Sequence, residues 1–215
     1  DLFAPLVADA LSALEANVKN PSAEHVAMYK IGSGGLRDSR LVRGIVVQRR
    51  VLMDTLPNDL KEAPTAVIGG DMKIRKMTRS AEIQITSADQ MDGFISAENE
   101  RKKALAAALI ESGAKLVLCG GEIDRDILHR LTDEGILAVG ELDESELHNA
   151  AESTGATIID SILDIGADDL GLAGSVHWER RQSSDQVEDI ITIDDCIDPS
   201  VVTIAVGGSG ETATE

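Results

Sequence analysis

Three short apolar runs, each separated from the next by a single capped helix, constrain the fold of this chain more than any other feature. KLVLC (115–119), ILAVG (136–140) and ATII (156–159) have the length and composition of buried strands. Between the first two, GGEIDRDILHRLTDEG (120–135) predicts a helix ended by glycine. Between the second and third, Asp143 and Glu146 cap a helix that Gly155 stops. Strands separated by one helix each are expected to pair in parallel through right-handed crossovers.

Upstream, an exposed extended run AEIQIT (81–86) leads into a helix of about 25 residues, about 37 Å long. Ser87 and Gln90 supply a capping box, and Gly113 sits where a C′ glycine belongs. The apolar positions are split. Met91, Phe94 and Ile95 lie near the start, Leu105, Leu109 and Ile110 near the end, and SAENERKK (96–103) between them offers a core only Ala97. A helix packed along its whole length shows an apolar residue every three or four positions. The pattern predicts docking at the C-terminal half, solvation at mid-length and an apolar tip.

Composition removes several functions. Only 2% of the 215 residues are aromatic, so the core is expected to be aliphatic and stacking platforms for single-stranded nucleic acid are scarce. Lys and Arg number 20 against 38 Asp and Glu, and the net charge of −18 repels phosphate backbones. Acids scattered along the chain suit a protein working in concentrated salt, as in a halophile. No apolar run is long enough to span a membrane. Cys119 and Cys196 form no metal spacing and are expected to be buried as small apolar residues. His25, His129, His148 and His177 make neither HxxxH nor HExxH, and no GxSxG follows a strand. No catalytic or metal-binding set is therefore assigned. GSGGLR (32–37) and GGSGET (207–212) complete no phosphate-loop signature and are expected to be hinges or turns, at Gly34, Gly35, Gly207 and Gly208. The periodic run already under way at Leu2, and an end soon after a strand, give the expectation of a fragment of a longer protein.

Residues 36–181 resemble the apical domain of group II chaperonins, the thermosome family of archaea. The resemblance is carried by LVRGIVV (41–47), by AEIQIT and the helix start with DQM (89–91), by LVLCGGEID (116–124), DEGILAV (133–139), STGATII (153–159) and DDLG (168–171). DDCIDPSVVTIAVGG (194–208) resembles the segment returning to the intermediate domain. Some positions depart from the family pattern: Gly120 and Gly121 stand where Gln-Lys is usual, Val206 replaces the Arg before the final glycines, and the loop MDTLP (53–57) keeps only Pro57.

The resemblance implies an α/β fold. Its apical domain, of layered β-sheet and helices (β/β/α type) with a projecting helical lid arm, is inserted into a small discontinuous α/β intermediate domain. The expected boundaries are 1–35 and 183–215 for the intermediate parts and 36–182 for the apical domain, with the protrusion at about 80–100. It further implies a substrate-recognition and lid module of an ATP-dependent machine that encloses unfolded or partly folded proteins. Other subunits of a double ring would be its partners and the cytoplasm its place. No cofactor is expected here, since the family's nucleotide loop and catalytic Asp lie outside this sequence; ATP and Mg would belong to the full-length parent, an ATPase.

On the 122–133 helix, Ile123, Ile127 and Leu131 share a core face. Leu128 is offset toward the flank beside Arg125, His129 and Thr132. The resemblance makes Arg125, Leu128, His129 and Thr132, with Leu52, Met53 and Leu56, the substrate groove; the lid tip is Ile83, Ile85, Met91, Phe94 and Ile95. For Leu52 and Leu56, packing of the loop onto the sheet is an equal alternative. Two other functions stay open: an enzyme domain binding a phosphorylated small ligand at a glycine loop, and an interaction domain gripping one partner through residues 81–98.

Overall fold

The computed structural model describes residues 3–15, 17–31, 35–53, 55–56, 58–74, 88–182 and 187–208. In chain order the elements are α1 (Phe3–Leu14), β1 (Val26–Ile31), β2 (Arg40–Val42), β3 (Ile45–Gln48), β4 (Asp59–Ile68) and α2 (Ala88–Ser112). They continue with β5 (Leu116–Cys119), α3 (Arg125–Asp133), β6 (Leu137–Val139), α4 (Glu144–Thr154), β7 (Ile158–Ile159), β8 (Gly171–Gln182), β9 (Val187–Asp194) and β10 (Val202–Gly207). The extended run 81–86 and Ser87 lie outside the described residues. The three glycines read as helix stops all adopt positive φ: Gly113 at +87°, Gly135 at +73° and Gly155 at +75°.

The larger sheet runs β3-β9-β8-β4-β5-β6, with β7 also on β4. Its long strand β4 has two kinds of neighbour. The first part pairs antiparallel with β8, and the last residues pair parallel with β5 and β7. β5 and β6 are parallel, as expected for strands joined through a helix. β7 does not extend the sheet beyond β6; it returns to the opposite side of β4.

Alternation along the parallel strands divides the core in two. Val67, Leu116, Leu118, Leu137 and Val139 face a cluster completed by Leu147, Ala150 and Ala151 of α4 and by Trp178, Ile191 and Ile193 of the antiparallel strands. Ala66, Ile68, Val117, Cys119 and Ala138 face the other way, onto Ala106 and Leu109 of α2 and Ile127, Leu128 and Leu131 of α3. A period of two places successive residues on opposite faces, so strands buried on both sides are apolar throughout.

The smaller sheet, β1-β10-β2, is covered by α1 through Ala10 and Leu14. Its central strand β10 is buried at every residue. Strand pairing crosses the expected boundaries at 36 and 183. β2 pairs with β10, so the chain stays with the small sheet until Val42; β9 pairs with β3 and β8, so the returning chain belongs to the large sheet until Asp194. Strand pairing between distant segments, invisible to local patterns, causes the difference.

The chain thus crosses between the sheets at Arg43–Gly44 and again over 195–201, and the two crossings are fastened together. Arg43 N donates to Asp194 Oδ1 at 2.7 Å, Cys196 N donates to Arg43 O at 3.0 Å, and Thr203 Oγ1 donates to Gly44 O at 2.8 Å. A Cβ on Gly44 would lie 2.3 Å from Ile193 O, so no larger residue fits this approach.

Candidate functional site

α3 forms one wall of the site. Asp124 caps it, its Oδ1 accepting from Asp126 N at 2.9 Å, and charged first-turn residues follow. Ile127, Leu128 and Leu131 are buried, while Arg125, Asp126, His129 and Arg130 are exposed. Thr132 is half-buried and turns its hydroxyl inward, donating to Leu128 O at 2.9 Å.

The loop after β3 is fixed by a buried carboxylate. Asp189 Oδ2 accepts from Val51 N at 2.8 Å, and Arg180 approaches the same carboxylate with Nε at 2.7 Å and Nη2 at 3.0 Å. Nη2 of Arg180 also donates to Val51 O at 3.1 Å, and its guanidinium lies 5.9 Å from the Trp178 ring centre. Burial pushes the Asp189 pKa up, but the hydrogen bonds from Arg180 and Val51 outweigh it and hold the carboxyl below its ordinary range. Arg49 continues the clamp to the start of α4, donating to Glu141 O at 2.8 Å and Glu146 Oε2 at 2.6 Å. From this held loop Leu52 projects, 60% exposed, and Met53 packs against the cluster that contains the α3 leucines.

α2 is docked over only part of its length. Ala106 and Leu109 are buried, whereas residues 92–97 are all exposed, including Phe94 at 50% and Ile95 at 51%. At the changeover sits Lys102, whose buried ammonium lies 3.2 Å from Glu98 Oε1, 3.1 Å from Asp124 Oδ2 and 3.0 Å from Asp126 Oδ2. These partners, the Asp126 hydrogen bond foremost, raise its pKa despite the burial. A cleft of about 460 Å³ opens between α2 and α3, lined among others by Asn99, Lys103, His129, Arg130 and Asp133.

A second, wider cleft of about 1070 Å³ lies past the ends of β4 and β5, lined by Gly69, Gly120, Leu147, His148 and Ile158 and by the acids Asp143 and Glu144. The start of α4 is closed by its own side chains. Its capping box occupies Glu146 N and Asp143 N with side-chain carboxylates, at 2.8 and 2.9 Å. Both cysteines are buried and free, and burial pushes the thiol of Cys119 up to about 11 and that of Cys196 to about 12. Among the described residues no three His, Cys, Asp or Glu side chains gather as a metal would require. No described helix is long and apolar enough to cross a membrane.

The sequence pattern of the TCP-1/cpn60 chaperonin family matches residues 1–215. The chain belongs to this family. Thermosome subunit 1 of Haloferax volcanii is 32% identical over 211 residues, covering 98% of this chain and 37% of that protein. Thermosome subunit alpha of Archaeoglobus fulgidus is 34% identical over 188 residues, covering 87% and 34%. A group II chaperonin from Methanococcoides burtonii, solved as an open-state monomer, shares the fold with a TM-score of 0.69 at 21% identity, over 98% of this chain and 47% of that one. The chain spans about a third of the length of the curated relatives it matches.

Within this chaperonin-family chain, the residues singled out from sequence are not all placed as expected. Leu128 is 2% exposed, because α2 lies across the flank of α3 on which it sits; it is a core residue and not a groove residue. Leu56, 8% exposed, joins the first core cluster and likewise leaves the surface. Leu52, Arg125 and His129 are exposed, and Met53 and Thr132 are half-buried. Of the expected tip, Phe94 and Ile95 are exposed; Ile83 and Ile85 lie outside the described residues, as does the side chain of Met91.

Gly34 also lies outside them. Gly35 and Gly207 meet at the end of the small sheet remote from the crossings, where a Cβ on Gly207 would lie 2.3 Å from Gly35 O; Gly208 beside them is buried. The chain changes sheets not at these glycines but at 43–44 and 195–201, because β2 keeps it on the small sheet after Gly35. Lys102 was not expected as a contact. The signal available was the Glu98–Lys102 spacing of four and the acids flanking Arg125.

Proposed function

We propose that this chain is the substrate-recognition and lid-bearing part of an ATP-dependent group II chaperonin subunit, whose ring encloses unfolded or partly folded proteins in the cytoplasm. The observation that carries the reading is α2: 25 residues long, docked through its C-terminal half and exposed over 92–97, with Phe94 and Ile95 half in solvent. An exposed apolar cluster on a soluble protein suits a surface on which something docks. Here the partners are client chains and the lids of neighbouring subunits in a double ring. Leu52 and Met53 on one side and Arg125, His129 and Thr132 on the other give clients a mixed polar and apolar surface, which demands no single sequence pattern. ATP and Mg would be bound by the remainder of the parent chain, which supplies the hydrolysis; this chain alone is expected to turn over no nucleotide.

The test uses the full-length protein. ATP should protect residues 81–98 from protease, and Phe94→Ser with Ile95→Ser should weaken that protection. In parallel, the full-length protein should suppress aggregation of several unrelated denatured proteins. Absence of a ring, or tight binding of one partner with no effect on denatured proteins, would overturn the reading.

A further inference from the structure

The root of α2 is unusual in what holds it. Facing the body, α2 offers mainly alanines and leucines from the run ALAAALI (104–110), and contacts of this kind are non-directional. Smooth small-residue surfaces let a helix roll or slide with little change in buried area. Toward the tip, residues 99–101 are exposed, and among the described side chains Lys102 is the outermost on α2 with an ion pair to α3.

An ammonium carries three protons, and this one has three carboxylates at 3.0–3.2 Å. Glu98 belongs to α2 itself, one turn earlier; Asp124 and Asp126 belong to the start of α3. Charge-assisted hydrogen bonds are directional, and a buried charge displaced from its partners is costly. Asp124 also caps α3, so the direction of one helix is referred to the first turn of the other.

We propose that Lys102 is a positioning residue that aims the arm, its ammonium fixing the roll and register of α2 on α3 through Asp124 and Asp126. The proposal rests on the reading of the outer half of α2 as a lid arm. An ion cluster built on a buried lysine adds little net stability over an apolar side chain of the same size, and the best-attested use of such a group is to select one geometry among near-equals. An apolar residue at position 102 would bury as well and leave the arm free to roll.

The test measures direction, not stability. Spin labels are placed on Asp92→Cys, exposed on the arm, and His148→Cys, exposed on α4; the native Cys119 and Cys196 are buried and remain unlabelled. Double electron–electron resonance then reads the distance distribution in the absence of nucleotide or denatured protein. The parent should give one narrow distance. Lys102→Met should broaden it about twofold while moving the thermal midpoint little. Asp126→Asn should broaden it less, and Asp126→Glu, which keeps the charge, should leave it narrow. If Lys102→Met does not fold, the Asn and Glu pair at 126 decides the matter. Unchanged widths in Lys102→Met and Asp126→Asn would overturn the proposal while leaving the lid reading to the protease test. Narrow, shifted widths shared by the Asn and Glu variants would overturn it too, since the charge would then be irrelevant.

Discussion

α3 and the outer half of α2 use apolar residues in opposite ways. α3 has nine residues and buries all three of its large aliphatic side chains, each worth about 1.5–3 kcal/mol when removed from water. The outer half of α2 holds Phe94 and Ile95, and the structure buries neither fully. The first helix is made stable by its sequence; the second is carried by its root. Apolar residues that add nothing to folding point away from the core for their purpose, and the comparison separates the two roles within about forty residues of chain.

The sharpest way to break the comparison is inside α3. Leu131→Ala should lower the stability to urea by about 2–5 kcal/mol, the range for truncating a leucine in a core that cannot collapse around the gap. A loss below about 1 kcal/mol would mean that α3 is no better rooted than the arm. Next comes the place where the two helices meet. Asp124→Ala removes the cap of α3 and one partner of Lys102, and should cost about 1–2 kcal/mol in thermal or urea unfolding.

Acid sharpens the comparison at the same junction. The Lys102 hydrogen bond and charge hold Asp126 below the ordinary aspartate value of about 3.9. A carboxyl depressed on folding contributes its stabilisation above the unfolded value and loses it as pH falls through the folded one. The root of α2 should therefore be unaffected by pH near neutrality and loosen only below about pH 4. Carbon-13 detected titration should place the Asp126 midpoint low in the parent and near the ordinary value in Lys102→Met; equal midpoints would deny the contact. The smallest effect is expected at the tip, where Phe94→Ser with Ile95→Ser should change the stability of this chain by less than about 0.5 kcal/mol. A loss of several kcal/mol would show the outer half to be packed and erase the contrast.

What could be read from the sequence follows the reach of each interaction. Ile127 and Leu131 were legible as core because a helical period fixes which residues share a face, and the stops at Gly113, Gly135 and Gly155 because left-handed backbone favours glycine. Leu128 was not, since the flank it occupies is covered by another helix and nothing in its own turn announces that cover. Lys102 was hidden for the same reason: Asp126 stands 24 positions away, and a lysine amid SAENERKK reads as solvated. The loop clamp of Asp189 and Arg180 reaches Val51 from more than a hundred positions along the chain. β2 and β9 changed sheets because strand partners are chosen across the molecule.

The paired crossings have a mechanical consequence. A single strand joining two rigid bodies transmits tension and little else, since it can twist and bend freely. Here the outgoing strand at Arg43–Gly44 and the returning strand at 194–203 are laced by hydrogen bonds from Arg43, Cys196 and Thr203, with Gly44 pressed against Ile193. Two strands laced in this way cannot shear past one another without breaking the lacing. The pair is therefore stiffer to torsion and sideways sway than one strand would be. A torque applied to the small sheet would be passed on to the large sheet and to the arm rooted on it.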